Sequence, residues 1–219
     1  MHPEYEVPVL GKRQVKSPLN LSKSYGDGVY DFVTDEDRIL MDATLKNFHT
    51  CVQTGTEPIS FEKAGPREFL FFEPAKTKVA IVTCGGLCPG LNNVIRGLVM
   101  TLWYRYGVTR IIGIQYGYEG FISRFNHPFI ELTPGLVENI HLSGGTILGS
   151  SRGEQSTEEI VDALEIMNVN ILFTIGGDGT LRGAQAIYEE IKKRGLKISV
   201  GGIPKTIDND IELIDRSFG

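Results

Sequence analysis

The run Gly202-Ile-Pro-Lys-Thr-Ile-Asp-Asn-Asp210 places an ammonium, a hydroxyl and two carboxylates in one short stretch opened by Gly and Pro. Such a mixture suits a chemical loop better than a packed core. Lys205 could neutralise charge on a transferring phosphoryl group, Thr206 could hold a phosphate oxygen, and Asp208 could take a proton from an attacking hydroxyl. Phosphoryl transfer needs parts of this kind, because it is mostly positioning and electrostatics. The plainer alternative is a polar turn with Asx-type hydrogen bonds at Asp208, Asn209 and Asp210. An extended backbone here would point the carboxylates of Asp208 and Asp210 the same way.

Two glycine-rich turns lie upstream. In Ile175-Gly-Gly-Asp-Gly-Thr180 the glycines let backbone N–H groups approach an anion, and the following helix adds its N-terminal partial charge. Asp178 is then out of place beside phosphates, unless a cation sits between them. Mg²⁺ held by one or two carboxylates plus substrate phosphates is the usual solution. A tight turn with Asp178 as helix cap is the alternative. The turn Thr83-Cys-Gly-Gly-Leu-Cys-Pro-Gly90 follows the same logic, with Gly85 and Gly86 at its centre. It is neither a Walker A loop nor a dinucleotide fingerprint. Cys84 and Cys88 lack the partners of a zinc site. A third glycine turn, Gly144 to Gly153, carries Arg152, whose guanidinium matches phosphate oxygens; a solvated arginine is the alternative.

These turns require strands behind them and helices after them. Val79-Ala-Ile-Val-Thr83 is an apolar, β-branched run, as for a strand buried on both faces. Arg110–Ile114, Asn170–Thr174 and Lys197 onward read likewise. Between them, Leu91 to Tyr106, Thr157 to Met167 and Leu181 to Arg194 have helical spacing, and Pro134 to Leu142 suits a short helix. Ser156 and Glu159 make a capping-box pair. The alternation predicts an α/β domain, a Rossmann-like three-layer parallel sheet with helices on both faces. Three of the turns would then meet at the carboxyl ends of neighbouring strands, where open sheets bind ligands. Residues 1–75 lack this regularity and read as an N-terminal extension that packs on a neighbour. Asp35 to Phe48 suits a helix there, and Glu68 to Phe72 a strand. The nucleotide-binding domain spans 76–219.

Composition agrees with a globular protein: 41% hydrophobic, 22% charged, net charge -5 over 219 residues. There is no basic patch for nucleic acid, no membrane span and no signal-peptide pattern, and three cysteines make no disulfide framework. A cytoplasmic setting is expected. His2, His49, His127 and His141 show no ligand spacing.

Taken together and in this order, Thr83–Asn92, Gly144–Arg152, Gly176–Thr180 and Pro204–Asp210 resemble the motifs of 6-phosphofructokinases. The extension and the cysteine-bearing first motif resemble the branch found in plants, trypanosomatids and some bacteria. The resemblance implies ATP-dependent phosphorylation of fructose 6-phosphate, with Mg²⁺ as cofactor and ATP as co-substrate. It implies Asp208 as base for the 1-hydroxyl, with Lys205 and Asp210 beside it, and Thr206, Ile207 and Asp208 as the substrate segment. It implies Gly85, Gly86, Arg152, Gly153, Gly177, Asp178, Gly179 and Thr180 on the nucleotide, with Asp178 the metal ligand. Gly179 resembles the family's donor selector, glycine for ATP and aspartate for pyrophosphate. Lys205 occurs in pyrophosphate users and in ATP users of this branch. Lipid and dinucleotide kinases share the Gly-Gly-Asp-Gly-Thr turn but would not be expected to carry the other motifs. Family subunits form homo-oligomers, dimers or tetramers, and run well past this length. The 219 residues are therefore expected to be an incomplete domain, inactive alone, with a pyrophosphate-dependent enzyme or a non-catalytic nucleotide-binding module as the alternatives.

Overall fold

A computed structural model describes residues 6–22, 26–214 and 216–218. The first five residues, read above for a leader, lie outside the described residues. The chain divides into two compact units, Met1–Phe71 and Phe72–Gly219.

The first unit contains two small antiparallel pairs. Strand β1 (Val15–Lys16) pairs with β4 (Phe69–Leu70), and β2 (Arg38–Leu40) pairs with β3 (Ser60–Glu62). Its helix α1 spans Leu45–Thr54, so the helix expected over 35–48 is misplaced. Local side chains explain the shift. Asp37 accepts hydrogen bonds from the Thr34 amide and hydroxyl, and Asp35 is bound by Arg13 and Arg67. The Arg13 guanidinium, first, holds the Asp35 carboxyl below its ordinary range. Acidic side chains bonded in this way favour turns over helix. The helix waits for Thr44, whose hydroxyl accepts from the Asn47 amide, and stops at Gly55 in the left-handed region. The strand expected over 68–72 is realised only at β4.

In the second unit β5 (Lys78–Thr83) is the central strand. The sheet order is β7-β6-β5-β8-β9, with β6 (Arg110–Ile114), β8 (Ile171–Gly176) and β9 (Ser199–Pro204) all parallel along it. The edge strand β7 (Phe129–Glu131) runs antiparallel to β6, so the sheet is mixed at one edge. Three residues are too few for a periodic signal, which is why β7 was not anticipated.

Successive residues of β5 point to opposite faces, and two cores result. Val79 and Ile81 pack with Leu91, Ile95 and Val99 of α2 (Leu91–Met100) and Val137 of α3 (Pro134–Val137). Ala80 and Val82 pack with Ile160, Val161 and Leu164 of α4 (Thr157–Ile166) and Ile187 and Ile191 of α5 (Asp178–Lys193). Helices therefore cover both faces, as the apolar runs require. Each fully buried Leu or Ile stabilises the fold by about 1.5–3 kcal/mol. Helix α2 continues into a wider π turn over Thr101–Tyr106 and ends at Gly107, which matches the expected extent. The Ser156 hydroxyl accepts from the Glu159 amide and starts α4, as the capping pair predicted. Among the described residues, no helix is long and apolar enough to cross a membrane.

Candidate active site

The site is built where β5, β8 and β9 end side by side. The ladder continues past the strands: the Cys84 amide donates to Ile175 O at 2.9 Å, and the Lys205 amide to Gly176 O at 2.9 Å. The first and third-strand turns are thereby fixed to the one between them.

The turn after β5 is laced to the Gly144–Gly153 turn. The Thr83 hydroxyl donates to Gly149 O at 2.7 Å, the Gly85 amide to Ser151 O at 3.0 Å, and the Ser150 hydroxyl to Gly85 O at 2.6 Å. Asn92, buried on α2, clamps the base of the second turn. Its amide nitrogen donates to Ser143 O at 3.0 Å and its oxygen accepts from the Ile147 amide at 2.9 Å. This lacing holds Arg152 beside Gly86. A Cβ built on Gly86 would lie 3.7 Å from an Arg152 guanidinium nitrogen and 3.8 Å from Lys205 Nζ. Two cations thus converge on one glycine.

The turn after β8 admits no side chain at Gly176. A Cβ there would come 2.2 Å from the Thr180 hydroxyl and 2.8 Å from Cys84 O. Gly177 caps α5, so Asp178 is the first helical residue and not the cap. The Asp178 carboxylate is exposed and pairs with Arg182 across one turn, at 2.6 Å. Thr180 is buried, and its carbonyl accepts from the Tyr118 hydroxyl at 2.9 Å. Burial pushes the Tyr118 phenol well up, so it remains a donor. Around Gly179 a Cβ would meet nothing within 4 Å.

Lys205 follows β9. Only 8% of it is exposed, and Nζ donates to Gly86 O at 2.5 Å. No carboxylate is paired with it among the described residues. Beyond it the chain turns and does not extend. Asn209 takes φ 51°, which overturns the expectation that Asp208 and Asp210 point together. The Thr206 hydroxyl donates to Asp210 Oδ1 at 2.6 Å and accepts from the Asp208 amide at 3.2 Å. Asp210 is thereby engaged. The exposed Asp208 carboxylate accepts no hydrogen bond among the described residues.

A cavity of about 670 Å³ opens over these turns. Of the residues singled out from sequence, Gly85, Gly86, Arg152, Gly153, Gly177, Gly179, Thr180 and Lys205 line it. Asp178, Thr206, Ile207, Asp208 and Asp210 do not. Sequence reasoning missed Tyr118 and Arg182, and gave Asn92 no role although it closes the motif Thr83–Asn92. Tyr118 stands among glycines in Tyr116-Gly-Tyr-Glu-Gly120, and Arg182 sits on a helix read only for its spacing. Arg152, Arg182 and Lys205 give the wall three cations against Glu154. A smaller hollow of about 490 Å³, over Gly144–Thr146, shares Gly85, Gly86, Ser151 and Arg152 with it. Cys84, at the cavity floor, is a free thiol that burial pushes up to about 12, which keeps it protonated at neutral pH. No three His, Cys, Asp or Glu side chains among the described residues lie close enough to hold a metal ion by themselves.

Known proteins resemble this chain. The ATP-dependent 6-phosphofructokinase of Borreliella burgdorferi is 57% identical over 216 residues, 99% of this chain and 47% of its own. ATP-dependent 6-phosphofructokinase 1 of Arabidopsis thaliana is 47% identical over 218 residues, 100% of this chain and 42% of its own. The chain therefore spans less than half the length of these curated relatives. The crystal structure of Pichia pastoris phosphofructokinase superposes with a TM-score of 0.56 at 23% identity, over 74% of this chain and 20% of that one, which shows a shared fold. The phosphofructokinase family's sequence profile matches residues 78–219, the whole of the sheet and every turn described above, and the chain belongs to that family.

Proposed function

We propose that this chain carries the nucleotide side of an ATP-dependent 6-phosphofructokinase, which moves the γ-phosphoryl of ATP to the 1-hydroxyl of fructose 6-phosphate. Lys205 is the observation that carries this reading. A buried ammonium with only a carbonyl for partner is costly, and an anion seated beside it offsets that cost. Arg152 and the backbone of Gly85 and Gly86 complete a cradle for phosphates. Gly153, Gly177, Gly179 and Thr180 line the same cavity.

Asp178 fits Mg²⁺ as a single hard-oxygen ligand. It is exposed at the start of α5, and Mg²⁺ is ordinarily held by one or two carboxylates together with substrate phosphates. Bound there, Mg²⁺ would neutralise charge on the phosphates. Asp208 acts as base toward the sugar hydroxyl, Thr206 and Ile207 line the approach of the sugar, and Asp210 holds Thr206 in place. The named donor of the relatives and the open space at Gly179 both favour ATP over pyrophosphate. The enzyme is read as cytoplasmic, and as a dimer or tetramer.

The test is a coupled assay on the protein made from its native gene, with Mg²⁺, fructose 6-phosphate and either donor. Turnover with ATP and none with pyrophosphate is expected. Turnover with pyrophosphate and not ATP overturns the donor, and binding of neither donor overturns the site.

A further inference from the structure

Arg182 and Asp178 form one ion pair but face differently. Arg182 lines the 670 Å³ cavity and Asp178 does not. The cavity wall therefore presents the guanidinium of the pair and not its carboxylate. Both side chains are exposed, 77% and 65%, with 2.6 Å between Nη2 and Oδ2 at i,i+4 spacing. A pair of this kind is worth only about a two- to five-fold factor in an equilibrium, so it exchanges readily.

We infer that Arg182 is a specificity-determining residue: it shields Asp178 from free divalent cations and releases it to a cation that arrives with a polyphosphate. The inference rests on reading the cavity as a nucleotide site. Charge decides the matter. A lone divalent cation at Asp178 must displace the guanidinium and leave it unpaired beside a second cation. The N-terminal end of α5, partly positive, opposes that cation as well. Lys205 and Arg152 line the same cavity and add to the opposition, against Glu154 alone. A metal–nucleotide complex brings its own anion. Asp178 then turns to the cation and Arg182 to the phosphate oxygens, so that two charge pairs replace one. The planar guanidinium suits both roles, since its fork matches carboxylate and phosphate alike.

The test titrates the native-gene protein with Mn²⁺ alone, with ATP in chelator, and with Mg²⁺ and ATP together, by calorimetry. Arg182→Gln should bind Mn²⁺ alone about two- to five-fold tighter than wild type, and metal-free ATP weaker by a similar factor. Arg182→Lys keeps the charge and should stay near wild type for Mn²⁺. Adding Asp178→Asn to Arg182→Gln should abolish the gain in Mn²⁺ affinity. Circular dichroism checks that each variant is folded. If wild type binds Mg²⁺ and ATP but Arg182→Gln binds Mn²⁺ no tighter, the shielding role is wrong and the nucleotide site stands. If wild type binds no nucleotide at all, the nucleotide site fails and the inference with it.

Discussion

Replacing Asp208 with serine in the native-gene protein should lower turnover by about 10² to 10⁴, the usual contribution of a general base. Nucleotide affinity should stay near wild type, because Asp208 does not line the cavity that the phosphate-cradling turns enclose. The same loop separates this residue from its neighbour. The Asp210 carboxylate is already occupied by the Thr206 hydroxyl at 2.6 Å. Asp210→Asn keeps an oxygen for that hydroxyl to donate to, so it should cost far less than Asp208→Ser. Steady-state kinetics and ATP titration on both variants decide this. Near-normal turnover in Asp208→Ser would move the base elsewhere, with Asp210 first to be tested.

Gly179→Asp should weaken ATP binding by about 10²-fold without unsettling the fold. The added Cβ meets nothing within 4 Å, so no packing is disturbed. An acidic residue in the first turn of α5 also suits the positive end of the helix. The cost falls on the ligand. A carboxylate about 4–8 Å from the phosphates opposes them by ~2–4 kcal/mol at an effective dielectric of about 20. Calorimetry with ATP, beside a thermal melt, checks both halves. Undiminished ATP affinity in a folded variant would remove Gly179 from the donor site.

Much of the domain was legible from residue order alone. Val79 to Thr83 could only be a strand buried twice over, and the two cores that divide its side chains confirm why. Glycines after Val79–Thr83 and after Asn170–Thr174 announced where two of the turns would gather. Residue chemistry offered Asp208 as a base and Arg152 as a phosphate ligand, each beside a plainer alternative; resemblance favoured the former, because spacing cannot tell a ligand from a solvated side chain. What escaped was decided by contacts distant in sequence or by single dihedral angles. One residue, Asn209 in the left-handed region, parts two carboxylates that an extended chain would align. Thr44 moves a helix by capping it, while upstream acids hold turns instead. Arg182 reads as an ordinary helix-surface cation until the fold places it on a cavity wall.

The order of the sheet also sets a schedule. Strand β5 meets β6 soon after it is made, through a short helical crossover. Its other neighbour comes late: the Lys78 amide finds the Asn170 side chain 92 residues away, and Lys205 reaches Gly86 across 119. Long closures cost chain entropy before any contact rewards them, and non-local pairing is slow. The two-stranded β5–α2–β6 unit can therefore gather while the anion cradle does not yet exist. Pulsed hydrogen exchange during refolding should protect the amides of β6 before those of Lys205 and Cys84, which bond to β8. Simultaneous protection would mean that the sheet closes in one step. Until that last closure the chain has a hydrophobic core but nothing with which to hold a phosphate.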